Sequence, residues 1–305
     1  MPDIAHTLAW AQTQGLERLD AQLLLLHALD TPTSEASARR TWLLAHGEEQ
    51  VPAPAQFYFA DLVRRRAGGE PLAYLTGSKE FFGLNLQVDA RVLVPRPDTE
   101  TLVTWALEVL AGPIAEQFRP PIAALDLGTG SGAIALALKH CRPDLRVDAV
   151  DASADALQVA QANALRLRLN VQFLQGSWLD QVMRRYHCIV SNPPYIAIGD
   201  PPLPALSHEP VQALVSGADG LDDIRLIVAQ AGTRLYPGGW LLLEHGFDQA
   251  LPVRALFATA GYDNITSRRD LGGNTRCTGG QMRASMLGIH ASGSPRTGAS
   301  APIVK

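Results

Sequence analysis

Two short stretches of this 305-residue chain carry residue types that could do chemistry. The first, Asp126-Leu127-Gly128-Thr129-Gly130-Ser131-Gly132, sets three glycines at alternate positions behind an apolar run, with an acid at its start. Glycines allow a ligand to approach the backbone closely, and a turn of this kind after a strand lies in the usual ligand crevice of open α/β sheets. The spacing is neither the G-x-G-x-x-G of dinucleotide folds nor the G-K-[ST] ending of a phosphate loop, so a triphosphate has no lysine partner here. Asp151, about 20 residues past the last glycine, stands where doubly wound folds place a carboxylate for ribose hydroxyls. Acids at both ends suit a cationic, hydroxyl-bearing ligand better than a polyphosphate. A nucleoside with a positive centre and no phosphates is S-adenosylmethionine. A bare strand–helix turn without ligand also uses glycines, but the succession of strand, turn, helix, strand and acid favours the ligand.

The second stretch is Ser191-Asn192-Pro193-Pro194-Tyr195. Two prolines end any ladder and stiffen the turn, which holds Asn192 at the sheet edge. The Asn192 side-chain carbonyl can accept one N–H of an amide or aromatic amine, and the Pro193 carbonyl the other. Holding both hydrogens favours a pyramidal nitrogen whose lone pair points along a sulfonium–methyl axis. Such catalysis is mostly positioning and needs no strong base before transfer. Tyr195 is expected to pack its ring against the planar group. A turn with a buried tyrosine is the plainer reading of the tetrapeptide by itself.

Positioning these residues requires a scaffold, and the pattern supplies one. Residues 1–75 read as short helices punctuated by Gly15, Pro32, Gly47, Pro52 and Pro54. Arg64, Arg65 and Arg66 close one of them, where cations complement the helix dipole; a binding patch is the less favoured reading. Residues 76–98 read as a β-hairpin linker, with Phe82–Asp89 alternating, a turn at Asp89-Ala90, and Arg91–Val94 returning. Residues 99–283 then alternate strand and helix signals. Strands are expected at 123–127, 146–150, 171–174, 186–190 and 240–244, and helices at 101–110, 133–140, 154–167 and 221–235. Two more strands, 265–268 and 276–283, are expected at the edge. The predicted fold is α/β: a doubly wound, mostly parallel, seven-stranded Rossmann-like sheet with a small all-helical N-terminal domain. Pro201–Pro204 falls in a long loop, and residues 284–305 read as a disordered tail.

Composition narrows the function classes. Apolar residues make up 47% and charged residues 18%, as in a globular domain, and the net charge of −4 disfavours binding driven by phosphate neutralisation. Cys141, Cys188 and Cys277 are far apart and form no C-x-x-C pair, which excludes a disulfide framework and a zinc ribbon and suggests a reducing compartment. Neither H-E-x-x-H nor paired cysteines occur, so no metal is expected. Without an export signal or a span-length apolar run, a soluble cytoplasmic protein with no membrane partner is expected.

Together the two motifs resemble those of class I methyltransferases that alkylate planar nitrogens. Over residues 1 to about 283 the chain is similar to the bacterial release factor glutamine methyltransferase family. The likeness is carried by Gly69-Glu-Pro-Leu-Ala-Tyr-Leu-Thr-Gly77 with Phe81-Phe82-Gly83, by Pro95-Arg-Pro-Asp-Thr-Glu100, by Ser191–Tyr195 with Glu209-Pro210, and by Leu243-Glu-His-Gly246. The resemblance implies a helical domain that docks a class I peptide chain release factor. It also implies methyl transfer from S-adenosylmethionine to the N5 amide of the glutamine in that factor's Gly-Gly-Gln motif. Carried over, Gly128, Thr129, Gly130, Ser131 and Gly132 line the methionine part of the cofactor, Asp151 holds the ribose, and Trp178 packs near the adenine. Asn192, Pro193, Pro194 and Tyr195 clamp the glutamine, with Asn192 also bordering the cofactor and Asn192, Pro193 and Tyr195 in the catalytic role. Trp178 has a core position as its other reading. Ser177 departs from the family, where an acid often precedes the tryptophan, and it is left out of the site.

Three other readings share parts of this pattern. A sister enzyme acting on a glutamine of a large-subunit ribosomal protein shares Asn-Pro-Pro-Tyr but typically departs from Pro-Arg-Pro-Asp-Thr-Glu. A DNA or RNA amino-methyltransferase uses the same tetrapeptide on an extruded base, against which the net charge and the absence of a nucleic-acid-binding module argue. A non-catalytic release factor chaperone would not need the intact tetrapeptide. Gly279-Gly280-Gln281 repeats the expected substrate tripeptide within the chain itself, where an edge strand is the expected explanation.

Overall fold

A computed structural model of the chain describes residues 2–29, 36–200 and 206–283. The expected tail at 284–305 and the proline run at 201–204 lie outside the described residues. Five helices fill the first part: α1 Ile4–Thr13, α2 Arg18–Ala28, α3 Ala36–Ala45, α4 Ala53–Ala67 and α5 Leu72–Thr76. Asp3 starts α1 by accepting from the His6 N–H at 2.7 Å. The helices close over Leu24, Leu25, Leu43, Phe59 and Leu62, all buried. The arginines that end α4 are engaged within the molecule: Arg64 with Asp61, Arg65 with Glu70, and Arg66 with Asp20. They are ordinary helix-end ion pairs.

The hairpin forms one turn earlier than the alternation suggests. Strands β1 Ser78–Phe81 and β2 Leu84–Gln87 pair antiparallel around Phe82-Gly83. Both turn residues have positive φ (50° and 77°), the geometry that matches strand twist in a two-residue hairpin. Asp89-Ala90 does not form the hairpin. The Asp89 carboxylate accepts from the Arg91 N–H at 3.0 Å, a local side-chain turn that competes with ladder formation. Residues 91–94 therefore form no strand: Arg91 and Val92 continue the turn, with the Val92 N–H donating to the Asp89 carbonyl at 3.1 Å. The Val94 N–H donates to Glu209 Oε2 at 3.1 Å instead of to a strand.

Helix α6 spans Thr99–Ala111 and starts two residues before the expected point, because Thr99 and Glu100 donate back to Arg96 and Pro97. A short helix, α7 Pro113–Gln117, follows. The alternating segment then runs β3 Ala123–Leu127, α8 Ala133–Cys141, β4 Arg146–Asp151, α9 Ala154–Leu167, β5 Gln172–Gln175 and β6 Tyr186–Ser191. It continues with α10 Asp222–Ala231, β7 Leu235–Glu244, α11 Ala250–Thr259, β8 Tyr262–Arg269 and β9 Thr275–Met282. Helix α10 stops short of the predicted 235 because Leu235 already pairs with Tyr186 in the sheet. Strand β7 runs through Gly238-Gly239 with a register shift opposite Tyr186/Cys188, so glycines that resemble a break form an irregularity inside the strand. Helix α11 has no counterpart in the sequence reading.

The strand order is β5-β4-β3-β6-β7-β9-β8, parallel throughout except for β9. One apolar layer joins α6 and α8 to the sheet (Leu102, Trp105, Leu136, Val190), and another joins α10 and α11 (Ile224, Ile227, Phe257, Leu241). The chain leaves β3 in one direction through β4 and β5 and returns on its other flank at β6. The glycine turn after β3 and Asn192 after β6 thus emerge side by side at the point where the strand order reverses.

Gly279-Gly280-Gln281 is not at the edge. It lies in β9, between β7 and β8, and both glycines are buried. A Cβ on Gly279 would stand 2.4 Å from a Leu242 methyl and 2.8 Å from the Trp105 ring. Packing, and not substrate mimicry, accounts for the glycine. Gln281 is tied down as well, donating to the Gly238 carbonyl at 2.9 Å and accepting from Asn264 at 2.8 Å. Gly279→Ala overpacks this layer and is expected to cost about 1–3 kcal/mol, read as a lowered thermal midpoint. An unchanged midpoint would refute the packing account.

Candidate functional site

The glycine turn is built by its neighbours before any ligand is considered. Gly128, Gly130 and Gly132 all have positive φ (70°, 55° and 86°), where other side chains are strained. The N–H groups of Gly128 and Thr129 both donate to the Val150 carbonyl, at 2.9 and 3.0 Å. Thr129 Oγ1 and the Ala135 N–H donate to Asp126 Oδ2 at 2.7 and 3.1 Å. Gly132, the residue that starts α8, offers no side-chain cap, so Asp126 supplies an acceptor to the helix start from beneath the turn. Asn163 donates to the Ser131 and Gln87 carbonyls at 3.0 and 2.9 Å and accepts from the Gln87 N–H at 2.7 Å. This buried asparagine bolts the turn to the hairpin.

Asp151 faces the same turn from the end of β4. Its Oδ2 accepts from the Gly130 N–H at 2.8 Å and its Oδ1 from the Ser153 N–H at 2.9 Å. Burial pushes its carboxyl above the ordinary range, and the two peptide N–H groups oppose the rise. Trp178 closes one side: its indole N–H donates to Asp223 Oδ1 at 3.1 Å, and a Cβ on Gly128 would stand 3.2 Å from its ring. Trp178 itself has φ 47°, a left-handed conformation that surrounding contacts must hold.

The N-P-P-Y turn completes the site. Ser191 Oγ donates to the Leu127 carbonyl at 2.7 Å and locks the ends of β3 and β6 together. Asn192 Nδ2 donates to Thr99 Oγ1, in the first turn of α6, at 3.2 Å. Among the described residues nothing donates to Asn192 Oδ1 or to the Pro193 carbonyl. The Tyr195 hydroxyl reaches towards Glu244 Oε1 at 3.5 Å, and burial raises its pKa above the usual phenol value. Glu244 is fully buried, its Oε2 has no hydrogen-bond partner, and desolvation pushes its pKa up to about 7.

These elements enclose a cavity of about 470 Å³, a size suited to a nucleoside-sized ligand. Of the residues expected at the site, Gly128, Gly130, Asp151, Trp178, Asn192 and Pro194 line it. Thr129, Ser131 and Gly132 instead form the frame of the turn, Pro193 is buried and outside the lining, and Tyr195 is directed at Glu244. Ser177, set aside in the sequence reading, lines the cavity, as do Asp223, Arg91 and Gln212. A roof is formed by residues 91–93 with Pro210, Gln212 and Ala213, held together where Glu209 binds Arg96 and the Val94 N–H. Pairing Pro-Arg-Pro-Asp-Thr-Glu with the distant Glu209-Pro210 is the signal that could have located this roof.

S-adenosylmethionine fits what is built here. The positive-φ glycine turn leaves room for close approach, and an indole forms a flat wall. The Asp151 carboxylate keeps lone pairs beyond its two peptide N–H bonds. No lysine or arginine follows the glycine motif to hold phosphate. Among the described residues no cluster of three metal-ligating side chains occurs, and no helix is long and apolar enough to cross a membrane.

The fold and site together define a class I S-adenosylmethionine-dependent methyltransferase. The hMettl16 catalytic domain, solved with an RNA hairpin, aligns with a TM-score of 0.54 over 76% of this chain and 82% of its own at 13% identity, a likeness of fold. A family profile described as the methyltransferase small domain matches residues 108–213, and one described as the PrmC N-terminal domain matches residues 4–77. The release factor glutamine methyltransferase of Xylella fastidiosa is 46% identical over 92% of this chain and 98% of its own length. That of Coxiella burnetii is 46% identical over 85% and 90%. The chain belongs to the release factor glutamine methyltransferase family.

Proposed function

We propose that this protein transfers a methyl group from S-adenosylmethionine to the side-chain amide nitrogen of the glutamine in the Gly-Gly-Gln motif of class I peptide chain release factors, in the cytoplasm. Asp151 holds the ribose, Gly128 and Gly130 face the methionine part, and Trp178 flanks the adenine. The helical part, α1–α5, docks the release factor. The cofactor, when bound, supplies an electrophilic methyl carbon on a sulfonium sulfur.

What the chain itself does is orient. The observation that carries the reading is the Asn192 amide, whose NH₂ is already engaged by Thr99 at 3.2 Å. Its oxygen remains to accept one N–H of a substrate carboxamide, and the Pro193 carbonyl accepts the other. With both hydrogens fixed, the amide nitrogen presents its lone pair instead of delocalising it. The gain is one of effective concentration and alignment. The nitrogen becomes more acidic on alkylation and releases its proton afterwards, so no base has to act first.

Incubation with labelled cofactor and three acceptors (a release factor, a large-subunit ribosomal protein, and DNA or RNA) tests this. Label is expected in the release factor alone, and its mass should rise by one CH₂ on the Gly-Gly-Gln peptide. Label only in nucleic acid or only in the ribosomal protein would overturn the assignment.

A further inference from the structure

The first half of the cavity roof, residues 91–93, has neither a helix nor a strand to hold it. Buried peptide groups need partners, so a segment outside any ladder is placed by the side chains that reach it. Asp89 serves its start, through the Arg91 and Val92 N–H groups. Further along, the Val92 carbonyl accepts from the Tyr74 hydroxyl at 2.5 Å, and the Val94 N–H donates to Glu209 at 3.1 Å. Tyr74 belongs to α5, the last of the five N-terminal helices, and packs with Ala73 on Val92, Val94 and Ala156. The second half of the roof, Pro210, Gln212 and Ala213, is tied to the same helices. His208 Nε2 donates to the Gly68 carbonyl, at the end of α4, at 3.2 Å. Between the halves lies Glu209, at 5% exposure, with one oxygen on the Val94 N–H and the other on Arg96.

Val92 joins the two parts of the argument, since it lines the cavity and its carbonyl is the acceptor for Tyr74. We propose that Tyr74 and His208 are positioning residues for the cofactor. Through them the helical part, besides docking the release factor, holds both halves of the roof over S-adenosylmethionine. Losing either contact leaves the roof with fewer restraints, and its open arrangements become more populated. The arrangement that binds cofactor is then a smaller fraction, and apparent affinity falls by that fraction. The substrate amide is held elsewhere, by Asn192 braced on Thr99, so the effect falls on cofactor affinity and not on transfer at saturating cofactor. The inference rests on the reading of this cavity as the cofactor site.

The test is calorimetry of S-adenosylmethionine and S-adenosylhomocysteine on the full chain, with no release factor present. Tyr74→Phe keeps the ring and removes the hydroxyl. It is expected to weaken cofactor binding about fivefold to tenfold, the scale of one neutral hydrogen bond. With a release factor as acceptor, kcat at saturating cofactor should stay within about twofold of wild type, so the loss appears in the cofactor KM. His208→Ala changes an exposed side chain, is expected to weaken binding about threefold or more, and decides the matter should Tyr74→Phe fail to fold. Asp3→Ala serves as the control. It removes the cap of α1 and should lower the thermal midpoint, yet leave cofactor affinity unchanged, because it loosens the helical part far from the roof. Unchanged affinity in Tyr74→Phe or in His208→Ala overturns the proposal. So does an equal loss of affinity in Asp3→Ala, which would make the effect one of general stability, or a fall in kcat as large as the loss of affinity. A wild-type protein that binds neither ligand would sink the cofactor reading of the cavity instead.

Discussion

Asn192→Ala is expected to lower single-turnover methyl transfer to a release factor by two orders of magnitude or more, about 3 kcal/mol of barrier, while cofactor affinity moves by less than about threefold. The size follows from what is removed. Asn192 is held by a bond from its own NH₂ to Thr99 at 3.2 Å, and the Ser191 hydroxyl, bonded to Leu127 at 2.7 Å, fixes the strand end beneath it. The following prolines prevent the turn from relaxing. Its oxygen is therefore preorganised, and alanine leaves one substrate N–H without an acceptor in a partly desolvated site. The carboxamide can then rotate, and alignment of the nitrogen with the methyl carbon is lost, which is the term that positioning supplies. Calorimetry with cofactor and rapid-quench transfer under excess enzyme separate the two effects. Equal losses in affinity and rate would make Asn192 a cofactor ligand instead of a clamp for the substrate amide.

The scaffold was legible in the sequence to the extent that local signals agreed with tertiary ones. Helix α9 was predicted at its observed bounds because Ser153 caps it, accepting from the Ala156 N–H, and its periodic apolar face meets β5 and β4. Buried parallel strands read as short apolar runs, and five were placed within a few residues except for the early start of β7. Where local and long-range preferences conflict, the reading failed. Arg91–Val94 has the composition of a strand, but the Arg91 and Val92 N–H groups turn back to Asp89 and the Val94 N–H bonds Glu209, more than a hundred residues away in sequence. Strand β9 reads as an edge from its place near the carboxyl end, whereas it lies between β7 and β8, where Leu242 and Trp105 fill the space beside Gly279. Helix α11 begins with Ala-Leu-Pro and carries few buried residues, Val253 and Phe257, so its period is faint.

The same limit governs the site. Motifs name residues that are close in sequence, so the glycine turn, Asp151 and Asn192 could be found. What completes the cavity comes from elsewhere: Asp223 behind Trp178, Asn163 beneath Ser131, Thr99 behind Asn192, and Glu209 locking the roof. Asp223 and Asn163 have no local pattern that separates them from a surface or capping residue, whereas Thr99 and Glu209 lie in Pro95-Arg-Pro-Asp-Thr-Glu100 and Glu209-Pro210, two stretches whose meeting in space neither reveals alone. Thr129, Ser131 and Gly132 belong to the motif and yet turn away from the cavity, because a tight turn needs frame positions as well as exposed ones.

Asp126 gives the second large effect, and it is one of pH. The carboxyl is fully buried and one of its oxygens, Oδ1, has no partner; burial pushes its pKa up from about 4 to about 7, against the Thr129 and Ala135 bonds to Oδ2. In the unfolded chain the group ionises near its ordinary value. Between those two values the folded state holds a proton that the unfolded state has released, so stability falls as pH rises, by up to about 1.4 kcal/mol per unit. The full loss, on the order of 4 kcal/mol, is reached above about pH 7 and is absent below about pH 4. Asp126→Asn cannot ionise, and its amide oxygen can still accept from Thr129 and Ala135. Its NH₂ takes the place of an oxygen that already lacked a partner, at a roughly constant cost of about 1–3 kcal/mol. The difference in unfolding free energy between variant and wild type, measured by urea titration, is therefore expected to shift in favour of the variant by roughly 2–3 kcal/mol from pH 5 to pH 7. Glu244 titrates in the same sense in both proteins and cancels from that difference. A difference that stays flat over this range would mean that Asp126 is ionised in the fold throughout. Cofactor should change the result in a definite direction. A bound cation near the turn favours the charged carboxyl, so binding at pH 6 should release a proton in wild type but not in the variant. Calorimetry in buffers of different ionisation enthalpy would detect it.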